Sequence, residues 1–268
     1  MPMIGVPAAA RRLGVSPGRV RQRISDGSLP AEWVGRQWVI DERDLAPLTD
    51  LPGPGRPLSE RSAWALIALS SALANENADG PAVRWIAALP ALDRSRARKR
   101  LRNLLADHQA ASDEGHAAES AAALRSLVGN RARRVLLRAS PRDLDDVRDD
   151  DRIVRAGLSD PKAGIASGDL VEGYAAGRDL SGIVEDYLLD SVDRDEGANV
   201  VLHVVADDDL ADRALALRRS EPMVHLLLAA DLAEHGRPRE RARAVGLVAD
   251  LARMLDIAPT SVGEPVRD

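Results

Sequence analysis

The chain predicts an α+β fold in three parts: a small N-terminal module of two short helices and a hairpin, a helical middle segment, and a mixed α/β C-terminal domain. Three observations carry this. Helix caps and turn residues punctuate residues 1–48. Alanine- and leucine-rich runs of helical period fill residues 59–129. Over residues 130–258, β-branched runs such as "RRVLLRA" and "NVVLHVVA" alternate with helical runs such as "DDLADRALALRR", the texture of a domain built from both. Between the first two parts, "PLTDLPGPGRPLSE" has four prolines and two glycines in fourteen residues, marking a linker at 49–58. Residues 259–268 read as a tail.

Of 268 residues, 45% are apolar but only 2% aromatic, with no phenylalanine, so the core must be built from closely packed Ala, Leu, Val and Ile. The absence of cysteine excludes disulfides, thiolate zinc sites and thiol catalysis, and fits a reducing cytoplasm. "MPMIGVPAAARRLGV" lacks the apolar run of a signal peptide, because Arg11 and Arg12 break it. No stretch reaches the roughly 18–20 apolar residues of a membrane span; even "MVHLLLAADLA" contains His225 and Asp231. A cytoplasmic protein without membrane contact is expected. Charge is unevenly placed. Residues 1–45 hold seven Arg against five Asp or Glu, whereas the whole chain carries −5. A basic head on an acidic body suits a protein whose head alone meets a polyanion.

Taken in order, "AAARRLGV" predicts a short helix ending at Gly14, with Ala9, Ala10 and Leu13 on one face. Ser16 is a good N-cap and Pro17 suits the first helical position, where its missing N–H costs nothing. The second helix runs to about Asp26 and stops at Gly27. "AEWV" and "QWVI" form strands joined by a Gly35-Arg36 turn, with Trp33 and Trp38 sealing the hairpin onto the small core. Asp41 caps one more helical turn through Leu45. Beyond the linker, Ser59 starts a strong helix, "AVRWIAAL" a second, and "SRARKRLRNLLADH" a third with Ala97, Leu101 and Leu104 on its apolar face. "QAASDEGHAAESAAALRSL" fits a helix or a connector.

The second helix carries the chemistry. At about 100° per residue, Val20 and Ile24 share the inner face and Gln22 falls opposite them, flanked by Gly18 and Arg21 on one side and Arg19 and Arg23 on the other. Ser16 and Pro17 open this helix. A small N-terminal end, a bidentate amide and three guanidinium groups suit a helix entering the major groove of double-stranded DNA. Gly18 lets the backbone approach closely, Gln22 or an arginine can read purine edges, and the remaining arginines clamp phosphates. Arg36, at the hairpin tip, is placed for a neighbouring minor groove or phosphate.

With these residues in place, the segment "VPAAARRLGVSPGRVRQRISDGSLPAEWVGRQWVIDERDL" resembles the winged helix-turn-helix of the excisionase and MerR-like group. The matched features are the Ala-rich first helix, "GVSP", the "GSLP" exit, the "VGRQWVI" wing and "DERDL". The resemblance implies that Ser16, Pro17, Arg19, Arg21 and Gln22 form the groove-facing helix and Arg36 the wing contact. Gln22-Arg23 stand where MerR proteins usually have aromatics, and a Pro/Gly linker replaces their long coiled coil, which brings the module nearer to the excisionase-like readers. Over about residues 130–255, "LVEGYAAGRDLSGIVEDYLL", "ANVVLHVV" and "LLLAADLAEHGRPRERARAVGLV" resemble the C-terminal domain of AbiEi-type antitoxins. That resemblance implies autoregulation of an operon and a cognate toxin protein as partner.

The expectation is therefore a sequence-specific DNA-binding transcriptional regulator, an autoregulating repressor and antitoxin. A homodimer is expected, since one small module contacts few bases and needs a second half-site. Two alternatives stay open: an excisionase-type architectural factor, and a DNA-targeted enzyme with an unrecognised C-terminal site. No catalytic, cofactor or metal site is expected. His108, His116, His203, His225 and His235 form no ligand spacing, and no phosphate-cradling or nucleophile-elbow glycine motif occurs. "RDDDRIV" and "ADDDLADR" fit helix ends or solvated faces. The basic run Arg94, Arg96, Arg98, Lys99, Arg100 and Arg102 reads as a solvated helix face or as an auxiliary phosphate contact.

Overall fold

The computed structural model of the chain describes residues 3–13, 16–25, 29–35, 37–45, 57–75, 79–109, 114–165, 168–193, 197–221 and 223–255. They belong to two compact units, one within residues 1–54 and one within 55–268. Both helices and sheets are present throughout, so the fold is α+β.

In the first unit, β1 (Met3–Gly5) leads directly into α1 (Val6–Arg12), and α2 (Pro17–Ser25) follows. The hairpin of β2 (Glu32–Val34) and β3 (Gln37–Asp41) and a 3-10 turn at Glu42–Leu45 complete it. β3 lies between β1 and β2 and pairs antiparallel with both. With so few residues, the core depends on small side chains that let the two helices approach. Ala9 and Ala10 of α1, Val20 of α2, Leu29, Ile40 and Leu45 are all buried. The helix ends expected at Gly14, and at Asp26 with Gly27, lie outside the described residues.

The second unit opens with four helices: α3 (Glu60–Ala74), α4 (Pro81–Ala88), α5 (Ala91–Gln109) and α6 (Glu114–Val128). Ser59 caps α3, its Oγ accepting from the Ser62 N–H at 3.4 Å. Then come β4 (Arg133–Arg138), α7 (Leu144–Asp149), β5 (Val154–Arg155), β6 (Val171–Ala176), α8 (Leu180–Asp186), β7 (Asp190–Ser191) and β8 (Val200–Val205). The chain closes with α9 (Asp208–Ser220), α10 (His225–Glu234) and α11 (Pro238–Met254). The sheet order is β5-β6-β8-β4-β7. Only β6 and β8 run parallel, and every residue of both is buried. That is why "VVLHVV" reads as one apolar run rather than an alternation.

The two faces of this sheet differ in kind. Leu137, Val171, Ala175, Val200, Leu202 and Val204 pack with Leu144, Val147 and Ile183 of α7 and α8 in a dry layer. The opposite face carries Glu172 and Tyr174 of β6 and His203 of β8, and α10 meets it with Asp231, Glu234 and His235.

Here the structure departs from the expected division at residues 129 and 130. A single apolar core runs through Trp64, Leu66, Leu101 and Leu124 of the helical segment and on to Tyr174, Val205, Leu226 and Leu247. The helical and α/β segments are therefore one body. Leu58, assigned to the linker, belongs to it too: it is buried, its N–H donates to the Leu127 carbonyl, and its own carbonyl accepts from Asn130 Nδ2. Residues 49–56 and the tail at 259–268 lie outside the described residues. On α5 the deepest positions are Ala97, Leu101 and Leu105, with Leu104 only partly buried.

Arg131, at the end of the 3-10 turn after α6, joins the two segments. Its side chain is 1% exposed. Its Nε donates to the Tyr174 hydroxyl at 2.6 Å, Nη2 to Asp231 at 2.8 Å, and Nη1 to Glu234 and to the Val128 carbonyl. Tyr174 in turn donates to Asp231 at 2.6 Å. The Arg131 carbonyl accepts from Trp64 Nε1 at 2.7 Å, and Trp64 stands edge-on to Tyr174. Burial opposes the charge on Arg131, but Glu234, Tyr174 and Asp231 hold it protonated, its pKa well above the usual value. Burial raises the Tyr174 phenol and keeps it a donor.

A second buried cluster adjoins the first. The Glu172 carboxylate, with no exposure at all, receives His203 Nε2 at 2.9 Å, His235 Nε2 at 2.8 Å and the Leu158 N–H at 2.8 Å. His203 stacks on Tyr174 and its Nδ1 lies 3.8 Å from Glu234. Burial pushes the Glu172 carboxyl up, yet the two histidines hold it well below the usual carboxylate range. Burial also pulls His235 down, but its bond to Glu172 keeps it above its ordinary value. Room for the carboxylate comes from Gly157, at φ +49°. A Cβ there would sit 2.1 Å from Glu172 Oε2, so both the backbone angle and the packing require glycine.

Two stability predictions follow from this cluster. Glu172→Gln removes one charge from a buried set and is expected to cost about 3–5 kcal/mol. Glu172 contributes stability above the ordinary carboxylate range and loses it only in strong acid. The His235 contribution is complete below its ordinary value of 6.5 and is lost as pH rises through its raised folded value. The difference between wild type and variant in urea unfolding should therefore be widest near pH 5–6, and narrow above the histidine range. Gly157→Ala should lower stability by about 1–3 kcal/mol in the same assay, from its strained backbone before the overlap with Glu172 is counted.

Candidate nucleic-acid interface

The first unit presents α2 on a scaffold that fixes its orientation. Val20 is fully buried and Ile24 partly buried against α1, where Ala9 and Ala10 allow close approach. This anchors one side of the helix and leaves the other outward. Ser16, Pro17, Gly18 and Arg21 are all exposed. Arg19 and Gln22 also belong to α2, with side chains outside the described residues. Arg36 lies outside them altogether.

Arg23 differs from the expectation of an outward cation, because it is partly buried. It stands about 60° from Val20 around the helix, close to the inner seam. Its carbonyl accepts from the Leu29 N–H at 3.0 Å, which holds the chain as it leaves the helix.

Gly18 lies in the first turn of α2. A Cβ there would meet only Ser16 Oγ, at 3.8 Å, an ordinary contact. Among the described residues nothing demands a bare backbone at this position. In the hairpin Val34 pairs with Gln37, and Gly35 after β2 has φ +53°, a conformation that favours glycine.

The tryptophans divide their roles. Trp33 and Trp38 face each other across the hairpin with ring centroids 5.1 Å apart and edge to face. Trp38 packs on the small core, but Trp33 is 61% exposed and does not seal it. β2 is an edge strand with all three residues exposed, and Trp33 leans on the Trp38 ring. Two further exposed arginines, Arg11 and Arg12, end α1. The sequence reading gave them no part. Their signal was available, since two adjacent arginines end the helix that precedes α2 in the sequence.

In the second unit, the basic helix α5 serves two ends. Arg94 Nη1 donates to the Ala87 and Leu89 carbonyls at 3.0 and 2.8 Å and so finishes α4. Arg96 pairs with Asp93 at 3.4 Å. Arg98, Lys99 and Arg102 are exposed and form no ion pair among the described residues. His203 is a satisfied core residue and His225 is largely buried. The side chains of His108 and His116 lie outside the described residues. Among the described residues, no group of three or more His, Asp or Glu is arranged to hold a metal ion. Nor is any helix there long and apolar enough to cross a membrane.

Residues 3–46 match the family model described as a helix-turn-helix domain. These are the residues that build the first unit and carry α2, so a helix-turn-helix domain occupies the N-terminus. No curated protein and no solved structure matches the chain.

Gly18→Ala should raise the stability of this unit, by up to about 1 kcal/mol, because alanine relieves the entropy of glycine in a helix and fits the space. Thermal unfolding of the full-length protein, followed by NMR at the indole signals of Trp33 and Trp38, measures it.

Proposed function

We propose that this protein is a sequence-specific DNA-binding transcriptional regulator that represses its own operon through the N-terminal domain. The observation that carries the reading is the outward face of α2. An exposed Arg21 and an exposed, sterically unneeded Gly18 stand on a helix locked from behind by Val20, inside the matched helix-turn-helix segment. In this reading α2 enters the major groove, Gln22 reads a base edge, Arg19 and Arg21 hold phosphates, and Arg36 on the hairpin reaches the backbone nearby. Two copies of the chain bind two half-sites as a homodimer.

The large second unit favours a regulator over an architectural excisionase-type factor, which needs little beyond the small domain. Its strand and helix texture resembles the C-terminal domain of AbiEi-type antitoxins, and on that resemblance the chain opposes a toxin protein encoded beside it. No reaction is assigned to the protein in this reading.

The test is fluorescence anisotropy of the full-length protein on DNA from upstream of its own gene, beside random DNA of equal length, across a salt series. Tight, saturable binding with a large specific-to-random ratio is expected. Sequence-blind binding at every salt concentration would overturn the regulator. Gln22→Ala should lose about 1–3 kcal/mol on the specific site and little on random DNA. Arg21→Ala should weaken both alike and reduce the salt slope by about one unit. Gly18→Ala, although more stable, should bind the specific site more weakly.

A further inference from the structure

The helix α5 carries six cations between Arg94 and Arg102, and no acidic residue occurs from Arg94 to Ala106. The six do not share one task. Arg94 is spent on the carbonyls that end α4, and Arg96 on Asp93. Arg100 is partly buried and lines a cleft with Asp93 and Asp209, acids that face the same space. Arg98, Lys99 and Arg102 remain. All three are exposed, and none makes a hydrogen bond or an ion pair among the described residues. The described acids of the helices packed on α5 are engaged elsewhere. Glu60 of α3 accepts from the Ala206 N–H, Asp250 of α11 pairs with Arg253 and Arg243, and Glu240 is buried. The side chains of Asp107, Glu114 and Glu119 lie outside the described residues.

At about 100° per residue the three free cations cover roughly 100° of the helix surface, with the exposed Ser95 among them and the exposed Asn103 at their margin. A face that only has to meet water does better with mixed signs. Arg98 and Arg102 are four positions apart, and Lys99 and Arg102 three, so like charges stand as neighbours and weaken the helix. The helix dipole does not account for them either, because it favours cations in the last turn and these stand before it. They also stand on an acidic body: after residue 54 the chain holds 30 Lys or Arg against 36 Asp or Glu. A cationic face kept against local repulsion on such a body fits a polyanion.

We propose that this face of α5 binds the phosphate backbone of double-stranded DNA, with Arg98, Lys99 and Arg102 on phosphates and Ser95 and Asn103 donating beside them. Side chains of these types are the ones that hold phosphates. The proposal rests on the reading that the N-terminal domain binds DNA. That reading also selects duplex DNA among polyanions. A duplex held by the helix-turn-helix domain meets the body of the same chain as a linked site, so a contact too weak to act alone still adds to affinity. The contact supplies grip and salt dependence and carries no sequence information, which stays with α2.

The experiment uses the full-length protein on the upstream and random duplexes. Arg98→Gln together with Arg102→Gln should reduce the salt slope by about two units on both duplexes, with the thermal transition kept. Arg133→Gln together with Arg142→Gln removes the same charge from exposed positions on β4 and ahead of α7, and should leave the slope as in the wild type. The chain has no cysteine, so a thiol placed on it is unique. Ser95→Cys carrying an aryl azide should crosslink to DNA on irradiation, and Ser191→Cys, on the exposed strand β7, should not. An unchanged slope in the Arg98 and Arg102 variant, an equal loss in both pairs, or equal crosslinking at the two thiols would overturn the contact and leave the reading of the N-terminal domain standing. A wild type that binds neither duplex would overturn both.

Discussion

Arg131 is the constraint on which the larger unit depends. A guanidinium without access to water must have its charge and its donors answered on the spot, and the answers come from four places in the chain. Val128 belongs to the helix that delivers it, Tyr174 to a central strand, and Asp231 and Glu234 to a helix a hundred residues further on. Trp64 closes the set from the first long helix. The arrangement ties both segments of the body at one point and cannot be satisfied by either alone. The Glu172 cluster extends the same logic across the sheet, sharing Glu234 and the stacked His203–Tyr174 pair. Apolar packing supplies the bulk of the stabilisation, but these polar contacts fix which helix lies on which strand.

The small unit is organised on the opposite principle. Among its described residues the core is apolar and thin, and its polar side chains face outward or to the seam. Such a unit is held by close helix contact and by a three-stranded sheet, which leaves its surface chemistry able to vary without affecting the core. A body rich in internal charge and a head rich in external charge divide the labour between shape and recognition.

Much of this was legible in the sequence, and the failures have physical causes. α2 could be read because Pro17 announces a helix start and because Val20 and Ile24 repeat at helical spacing. β4, β6 and β8 were legible because their apolar runs end at turn residues, and the hairpin because Gly35 admits the turn, whereas β5 and β7 are two residues each and leave no run to read. The boundary at 129 and 130 was misread for a local reason. "NRARR" looks like a solvated basic stretch, and nothing nearby reveals that its first arginine is sealed by residues 43 to 103 positions away. Glu172 in "LVEGY" drew no notice, and His203 in "VVLHVV" and Asp231 in "LLLAADLA" were met only as single polar residues in apolar runs. Each was explicable singly, and only the sheet register shows that Glu172, Tyr174 and His203 share one face. Trp33 was misplaced because burial of a hairpin aromatic depends on which strand is at the edge, and strand order is not written in the hairpin itself.

The distance along the chain between Arg131 and its carboxylates has a consequence for how the protein is made. The head closes on contacts within its own first 45 residues, so it can fold soon after leaving the ribosome. The body cannot follow suit. Until residue 231 has been synthesised, the guanidinium that joins its two halves has no acid to meet, and the parallel pairing of β6 with β8 also waits on late sequence. During that interval the nascent chain carries a finished head and an unfinished, apolar body. The helix-turn-helix head is thus complete before the body that follows it, and the order of the two halves along the gene sets that delay.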